Sequence, residues 1–427
     1  MRRLRDILEG ILLARLAPNM PSARRAVLAE CGLRPFRNAW WVPLQFERPW
    51  MLWRNVWLLE SSPEPRCGTP ELPEQARVAI YTPGHVGDVL HVVPLVRALR
   101  SARPAADIVW VVGPWCYVLA RRYPFASRVE VFSPAWFQYR RGGVGDSLFT
   151  QRSWGRALSA VDLFVSTSHA DLSTLFVGRC FQPLHWIGRP PSFPLYPVAG
   201  REDLIISRKD VYEAEDHLQL LTPLGLQGGD SSLTYRVAED ERVAAQRILA
   251  AAGIASGAPY AVIAPGAGWA GKQWPTERWA NVGDKLNLMG CAVVLVGTAS
   301  ERIICASIGR SMRAQSTNIA GSTGLAELAG VLEGARIWLG SDSGSMHIAA
   351  ALGTPTVSLF GPTNPQKWAP RGAAHVALRA VEGCPSCIPW HPRARCVDGG
   401  RCMLAIGVQE VCDAAQFLLL NGRDARR

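Results

Sequence analysis

The sequence predicts an α/β protein made of two similar halves that face each other across a cleft. Apolar stretches of strand length alternate with helical stretches over residues 77–166, and the pattern returns over residues 239–360. Such alternation is typical of parallel sheets that are covered by helices on both faces. A chain of 427 residues is long enough to bury two cores of this kind.

The first half, residues 76–226, is predicted to start with a strand, a glycine turn and a helix. The predicted strands are 77–82, 107–112, 128–132 and 161–166, and the predicted helices are 89–100, 114–122 and 213–221. The turn from Gly84 to Asp88 lies at the carboxyl end of the first strand, where open α/β sheets bind ligands.

The second half, residues 233–407, repeats the pattern after a predicted hinge at 227–232 that contains Gly228 and Gly229. The predicted strands are 260–264, 291–297, 337–339 and one that begins at Pro355, and the predicted helices are 239–252, 276–289, 300–313, 325–332 and 345–352. Residues 408–427 are predicted as a separate segment whose helix covers 408–420.

Residues 1–75 are predicted to form an N-terminal extension that ends in a linker over 61–75. Apolar residues at helical spacing over 1–17 predict an amphipathic helix, and a stretch dense in tryptophan and arginine follows. From Met1 to Arg54 there are ten arginines and four acidic residues. Two interpretations remain open: a segment at the lipid interface, where Trp and Arg are enriched, or an extra helical layer on the first domain.

The net charge of +11 indicates an anionic partner without identifying it, and nucleic acid is not the expected one. Almost all basic residues are arginines, and the lysines are Lys209, Lys272, Lys285 and Lys367. Neither a secretory signal nor an apolar membrane span is recognisable. The protein is therefore expected in the cytoplasm.

The segment from Asp342 to Ser345 carries the strongest local signal for a ligand. It links an apolar strand to a helix of small residues, so the first N–H groups of that helix have no bulky cover. Free donors and the positive end of the helix dipole then face one point, which favours an anion. The alternative is that Asp342 or Ser343 only caps the helix.

Gly266, Gly268 and Gly271 follow another strand and match the pattern G-x-G-x-x-G. In a dinucleotide site the third glycine lies inside a helix, which Pro275 opposes here. A glycine loop also lets backbone N–H groups approach phosphates, and Lys272 adds a mobile positive charge. The loop is therefore predicted to hold a diphosphate together with the helix that starts near Ser343.

Four further residues are candidates, and three of them have a structural alternative. Asp88 is either an N-cap or a general base that faces the cleft. Glu301 either accepts from ribose hydroxyls or is a solvated glutamate in a first helical turn. His347 is either a ligand contact or a packed histidine, and Gly87 lies in the same turn as Asp88.

Two other segments are singled out by composition. Cys384, Cys387, Cys396 and Cys402 have the look of a four-thiolate knuckle for structural zinc or iron, although the spacing is not that of a standard zinc ribbon. The aromatic and Arg-rich loop 135–146 contains Arg140 and Arg141, which are candidate contacts to an anionic acceptor.

Three blocks, in this order, resemble glycosyltransferase family 9, the ADP-heptose:lipopolysaccharide heptosyltransferases. They are G-H-V-G-D-V-L-H-V-V-P-L at 84–95, P-G-A-G-W-A-G-K-Q-W-P-T-E-R-W-A at 265–280, and the segment 340–365 that starts G-S-D-S-G-S-M-H. Cys402-Met403 and Gln409-Glu410-Val411 are similar to that family too. The resemblance covers about residues 77–420 and leaves residues 1–75 outside.

The resemblance implies the GT-B fold, two Rossmann-like domains with the donor nucleotide on the C-terminal one, and transfer with inversion and without a catalytic metal or other required cofactor. It implies that Asp88 is the base and that Lys272 is the cation on the donor diphosphate. Ser343, Gly344 and Ser345 would cradle phosphate, Asp342 would contact the donor sugar, and Glu301 the ribose. The final helix is expected to cross back onto the first domain.

The favoured function is transfer of a heptose from ADP-heptose to an anionic glycolipid of the lipopolysaccharide core, at the inner face of the inner membrane. A member of the same family that glycosylates a protein or another glycan is the main alternative, kept open by the extension and the cysteine cluster. A nicotinamide-dependent oxidoreductase, resting on residues 266–271, and a non-catalytic membrane-surface protein are the other hypotheses.

Overall fold

The computed structural model describes residues 70–132, 160–169, 174, 177–178, 181–189, 208, 210–379 and 401–421, and the antiparallel strands β1 (Arg34–Phe36) and β2 (Ala39–Trp41). The chain divides into two compact units. The first contains residues 1–84, 95–207 and 217–229, and the second contains 85–94, 208–216 and 230–427. The polypeptide enters the second unit for the last time between Gly229 and Asp230, inside the predicted hinge. Two segments that were predicted for the first domain, 85–94 and 208–216, group with the second unit.

The first unit contains a parallel sheet of five strands in the order β5-β4-β3-β6-β7. These strands are β3 (Arg77–Thr82), β4 (Asp107–Val112), β5 (Arg128–Val131), β6 (Leu163–His169) and β7 (His185–Arg189). Helix α1 (Val86–Ala102) follows β3, and the short helix α2 (Tyr117–Ala120) follows β4. The bounds of β3 and β4 are those predicted, whereas β7 was not predicted.

The second unit contains a parallel sheet of six strands in the order β10-β9-β8-β11-β12-β13. These strands are β8 (Tyr260–Ala264), β9 (Ala292–Leu295), β10 (Ser316–Asn318), β11 (Ile337–Ser341), β12 (Thr356–Phe360) and β13 (His375–Arg379). Numbered in order along the chain, the strands of the first sheet are arranged 3-2-1-4-5 and those of the second 3-2-1-4-5-6, which is the Rossmann order. The prediction of two Rossmann-like parallel sheets is confirmed.

The remaining helices of the described residues lie mostly in the second unit, and α3 spans the division at residues 216 and 217. They are α3 (Glu213–Leu218), α4 (Glu239–Ala251), α5 (Thr276–Leu288), α6 (Arg302–Ser311), α7 (Leu325–Gly334), α8 (Gly344–Ala351), α9 (Pro365–Trp368), α10 (Arg401–Leu404) and α11 (Val408–Asn421). Strands β8, β11 and β12 are buried along their whole length, as expected for central strands with both faces covered.

The final helix α11 buries one face in the core of the second unit. Its buried side chains there are Val411, Cys412, Ala415 and Leu418. They pack there with strand residues such as Leu339 and Val357. The separate C-terminal segment therefore completes the second core, since it removes apolar surface of that sheet from water. The expected crossing of α11 back onto the first domain stays a prediction.

None of the helices in the part of the chain described above is long and apolar enough to cross a membrane. The predicted helix at 1–17, most of the tryptophan-rich stretch and most of the linker lie outside the described residues. Their interpretation as a lipid-contacting segment or as an extra layer stays a prediction.

An ion pair attaches the segment 208–216 to the second unit. Lys367 on α9 lies 2.7 Å from a carboxylate oxygen of Glu213 and 3.8 Å from one of Asp216. Asp216 is fully buried, and Lys367 and Glu213 expose less than a fifth of their side chains. The other Asp216 oxygen accepts the backbone N–H of Arg208 at 3.2 Å. Lys367 therefore supplies positive charge to two largely buried carboxylates.

We expect Lys367→Ala to lower the free energy of unfolding by about 3 kcal/mol, because it leaves buried carboxylates without their cation. The matched control is Arg128→Ala, which removes a pair with Asp107 at 3.0 Å whose side chains are 40% and 38% exposed. That change should cost less than about 1 kcal/mol. Urea denaturation measures both, and equal effects would contradict the assigned role of Lys367.

Candidate active site

The second sheet places two predicted site residues side by side. In a Rossmann sheet, ligands bind beyond the carboxyl ends of the strands at the point where the strand order reverses. Here that point lies between the neighbouring strands β8 and β11. The loop after β8 carries Lys272 and the loop after β11 carries Asp342. The Lys272 ammonium donates to Asp342 Oδ2 at 2.7 Å.

The pair is largely removed from water, since the Lys272 side chain is 18% exposed and that of Asp342 is 8% exposed. Asp342 therefore neutralises the cation of the glycine loop and does not cap α8. The N-cap of α8 is Ser343, whose side chain makes no capping hydrogen bond to the helix. Ser343 thus occupies the N-cap position without a side-chain cap, and the Asp342 carboxylate pairs with Lys272.

The start of α8 keeps the features that were predicted for an anion site. Ser343, Gly344 and Ser345 are partly exposed, and the two serine hydroxyls lie 3.1 Å apart. The first N–H groups of a helix have no carbonyl partner within the helix. Donors and the positive end of the dipole are thus accessible beside the Lys272–Asp342 pair.

The loop that carries Lys272 is fixed at its far end. The buried indole of Trp274 donates to the carbonyl of Ile406 at 3.2 Å, and Arg278 donates to the carbonyls of Leu404 and Ile406 at 2.6 and 2.8 Å. Between them, Pro275 is the N-cap of α5. Gly271 lies in a 3₁₀ turn, Ala270–Lys272, and not inside a helix, so the dinucleotide pattern lacks its structural context.

Gly266 and Glu301 lie against each other. The Glu301 carboxylate occupies the place that a Cβ atom would take on Gly266. The same carboxylate accepts the N–H and the hydroxyl of Thr298 at 2.6 and 2.9 Å, so the alternative of a first-turn glutamate is realised here. Gly268 is exposed and has open space at its Cβ position. A ribose contact by Glu301 stays a prediction.

His347 is buried and lies close to two residues of α1. A Cβ atom on Gly87 would lie 2.6 Å from the His347 ring, and the side chain of His91 lies within hydrogen-bonding distance of its Nδ1 atom, at 3.2 Å. His347 Nε2 lies 3.8 Å from Asp342 Oδ1. Burial lowers the pKa of His347 to about 4, so the imidazole is neutral at pH 7.

Asp88 lies in the first turn of α1, where its carboxylate accepts the backbone N–H of His85 at 2.6 Å. The residue keeps part of its surface accessible. The pKa of its carboxyl is raised to about 6, mainly by loss of solvation and also by the nearby negative charges of Glu213 and Asp342, while the His85 N–H and Lys272 oppose the rise. A carboxylate with a pKa near neutrality suits proton transfer.

Other predicted site residues fall outside the described part of the chain: Arg140, Arg141, Cys384, Cys387 and Cys396. Cys402 is buried in the core of the second unit, where its sulfur lies 3.0 Å from the Cβ position of Gly361. Within the described ranges, no group of three metal-ligating side chains is present. The metal knuckle therefore stays a prediction.

Three residues of the site were missed from the sequence: His91, Glu213 and Lys367. A signal existed for His91, because it follows Asp88 by three residues and so shares its face of the helix. Lys367 is one of only four lysines in the chain. Glu213 had no signal, since its proximity to Asp88 arises only from the tertiary structure.

Comparisons with known proteins agree on one family. The family model described as glycosyltransferase family 9 (heptosyltransferase) matches residues 212–394. Lipopolysaccharide heptosyltransferase 1 of Pseudomonas aeruginosa is 28% identical over 335 residues, which cover 73% of this chain and 86% of the relative.

Two solved structures share the fold at 21% sequence identity. A family 9 glycosyltransferase from Veillonella parvula superposes with a TM-score of 0.68 over 82% of this chain and 99% of its own. A heptosyltransferase of Escherichia coli, solved with ADP, gives a TM-score of 0.59 over 80% and 99%.

The two Rossmann-like units have the GT-B fold of these solved structures. More particularly, residues 212–394 match glycosyltransferase family 9, the heptosyltransferase family, and the relatives that align with the chain are lipopolysaccharide heptosyltransferases.

The contact between Gly87 and His347 can be tested by stability. Helix propensity alone would make Gly87→Ala stabilising by about 1 kcal/mol. We expect a loss of about 1–3 kcal/mol instead, because the new methyl group would overlap the buried imidazole. Gly268→Ala, with open space at its Cβ, should change stability little. Urea denaturation of both variants measures the difference, and a stabilised Gly87→Ala would contradict this packing.

Proposed function

We propose that the protein transfers a heptose from ADP-heptose to an anionic glycolipid acceptor of the lipopolysaccharide core, at the inner face of the inner membrane. The observation that carries the proposal is the 2.7 Å pair of Lys272 and Asp342 beside the accessible start of α8. The names of the relatives support the acceptor class, and the E. coli structure with ADP supports the donor.

On the donor side, the Lys272 ammonium group contacts both the diphosphate and the Asp342 carboxylate. The N–H groups at the start of α8, from Ser343 to Ser345, donate to phosphate oxygens. Both contacts stabilise the negative charge that develops on the leaving diphosphate. Asp342 then lies where it can accept from hydroxyls of the donor sugar.

On the acceptor side, Asp88 takes the proton of the attacking hydroxyl group. The hydroxyl oxygen forms a bond to the anomeric carbon while the bond from that carbon to the diphosphate breaks. A single displacement of this kind inverts the configuration. In this proposal Lys272 and the helix start supply the positive charge for the leaving group, so the step requires no catalytic metal.

The donor is tested by calorimetric titration with ADP, ADP-heptose, UDP-sugars and NADH, with and without EDTA. Binding of ADP and ADP-heptose that survives EDTA supports the proposal. Binding of NADH alone would favour the oxidoreductase hypothesis. The acceptor is tested separately with heptose-deficient lipopolysaccharide and with protein acceptors, and transfer to protein alone would establish the alternative within the family.

We expect Lys272→Ala to lower kcat by about 10²–10³, because it removes one preorganised electrostatic contact to the leaving group. Lys285→Ala is the matched control, since Lys285 is an exposed lysine in the last turn of α5. Initial rates of ADP release measure both, with thermal melts to confirm folding. Equal rates for the two variants would remove Lys272 from the mechanism.

The role of Asp88 predicts a pH dependence. The carboxyl must be ionised to accept a proton, and its pKa is raised from 3.8 to about 6. We therefore expect kcat/KM to be level above pH 6 and to fall about tenfold per pH unit below it. His347, with a pKa of about 4, stays neutral across this change and cannot cause it.

The measurement is kcat/KM between about pH 5 and about pH 8, with Asp88→Asn as the comparison that should lose about 10²–10⁴ in rate. A level profile across pH 6, or an Asp88→Asn variant with wild-type rate, would exclude Asp88 as the base.

A further inference from the structure

Four polar side chains form a row from helix α1, which carries Asp88, to the Lys272 ammonium group. His91 Nε2 lies 3.2 Å from His347 Nδ1. His347 Nε2 lies 3.8 Å from Asp342 Oδ1, and Asp342 Oδ2 accepts from Lys272 at 2.7 Å. His91 is fully buried, and His347 is 4% exposed. Of the four, only Lys272 is appreciably accessible.

The distances decide which nitrogen atoms carry protons. A neutral imidazole has one N–H and one acceptor nitrogen. If His347 Nδ1 donated to His91, the lone pair of His347 Nε2 would face the carboxylate of Asp342, and the two would repel. If His91 Nε2–H donates, His347 Nδ1 accepts and Nε2–H faces the carboxylate. At 3.8 Å that contact is an electrostatic attraction and not a hydrogen bond.

We propose that His91 is a positioning residue for the transferase: its Nε2–H fixes the Nε2–H tautomer of His347, which holds Asp342 in the orientation that binds Lys272. The predicted effect on binding of the nucleotide-sugar donor rests on the proposed function. The tautomer itself does not, because it follows from the contacts of the four side chains.

The surroundings of His91 suit such a role. Its ring makes edge-to-face contacts with Tyr212 and Trp368, at centroid distances of 5.1 and 5.7 Å. His91 lies three residues after Asp88 and four after Gly87, which itself touches the His347 ring. The same stretch of helix thus carries the proposed base and both contacts that hold His347.

The test uses the full chain labelled with ¹⁵N-histidine, in which His347→Asn identifies the His347 signals. His91→Phe keeps an aromatic ring but removes the donor. His91→Gln retains an N–H donor near the position of Nε2. His375→Asn is the matched control, because His375 is partly buried, has a pKa lowered to about 4, and its ring lies 3.0 Å from the hydroxyl of Thr356 on β12, away from the four side chains. Titration with ADP is the second readout.

We expect His347 to be protonated at Nε2 in the wild type and to lose this preference in His91→Phe. Affinity for ADP should fall about 5- to 10-fold in His91→Phe, the effect of one lost hydrogen bond. It should recover in His91→Gln and stay unchanged in His375→Asn.

His347 protonated at Nδ1 in the wild type would overturn the proposal, and so would a His91→Phe variant with an unchanged tautomer. A wild-type protein that does not bind ADP would overturn the proposed function instead. The tautomer measurement would still decide the role of His91 in that case.

Discussion

The contact between Lys272 and Asp342 is the interaction on which the site depends. Two parallel strands that are neighbours in the sheet, β8 and β11, end at the same edge, so the loops that follow them must meet. A buried carboxylate is costly unless a cation compensates it, and the same holds for a buried ammonium group. Each residue therefore reduces the free-energy cost of burying the other. The pair lies next to a helix start that also stabilises negative charge.

This arrangement explains why the loop after β8 is rich in glycine and yet well anchored. Gly268 has open space at its Cβ position, while Trp274 and Arg278 bind the carbonyls of Leu404 and Ile406. The C-terminal helix α11 then buries its apolar face in the same core. Residues 404–418 thus support the loop that carries Lys272 within their own unit.

Much of the fold could be predicted because the central strands are continuous apolar runs between glycine and proline turns. The strands that were missed, β10 and β13, are at the sheet edges and only partly buried, so their sequences lack the apolar run of a central strand. Strand β7 is mostly buried but contains Gly188 and Arg189. A glycine and an arginine at the end of a strand interrupt the apolar run by which a strand is predicted from sequence.

The site could be predicted only as far as chemistry is local. Glycine turns, helix starts and single charges are visible in the sequence, so Asp88, Lys272 and Asp342 could be named. Their contacts with one another could not be predicted. Lys272 and Asp342 are 70 residues apart along the chain, and no local motif specifies that they pair. The raised pKa of Asp88 shows the same limit. It arises from burial and from Glu213 and Asp342, which lie 125 and 254 residues away along the chain. Local sequence supplies the functional group, and the tertiary fold determines at which pH that group can act.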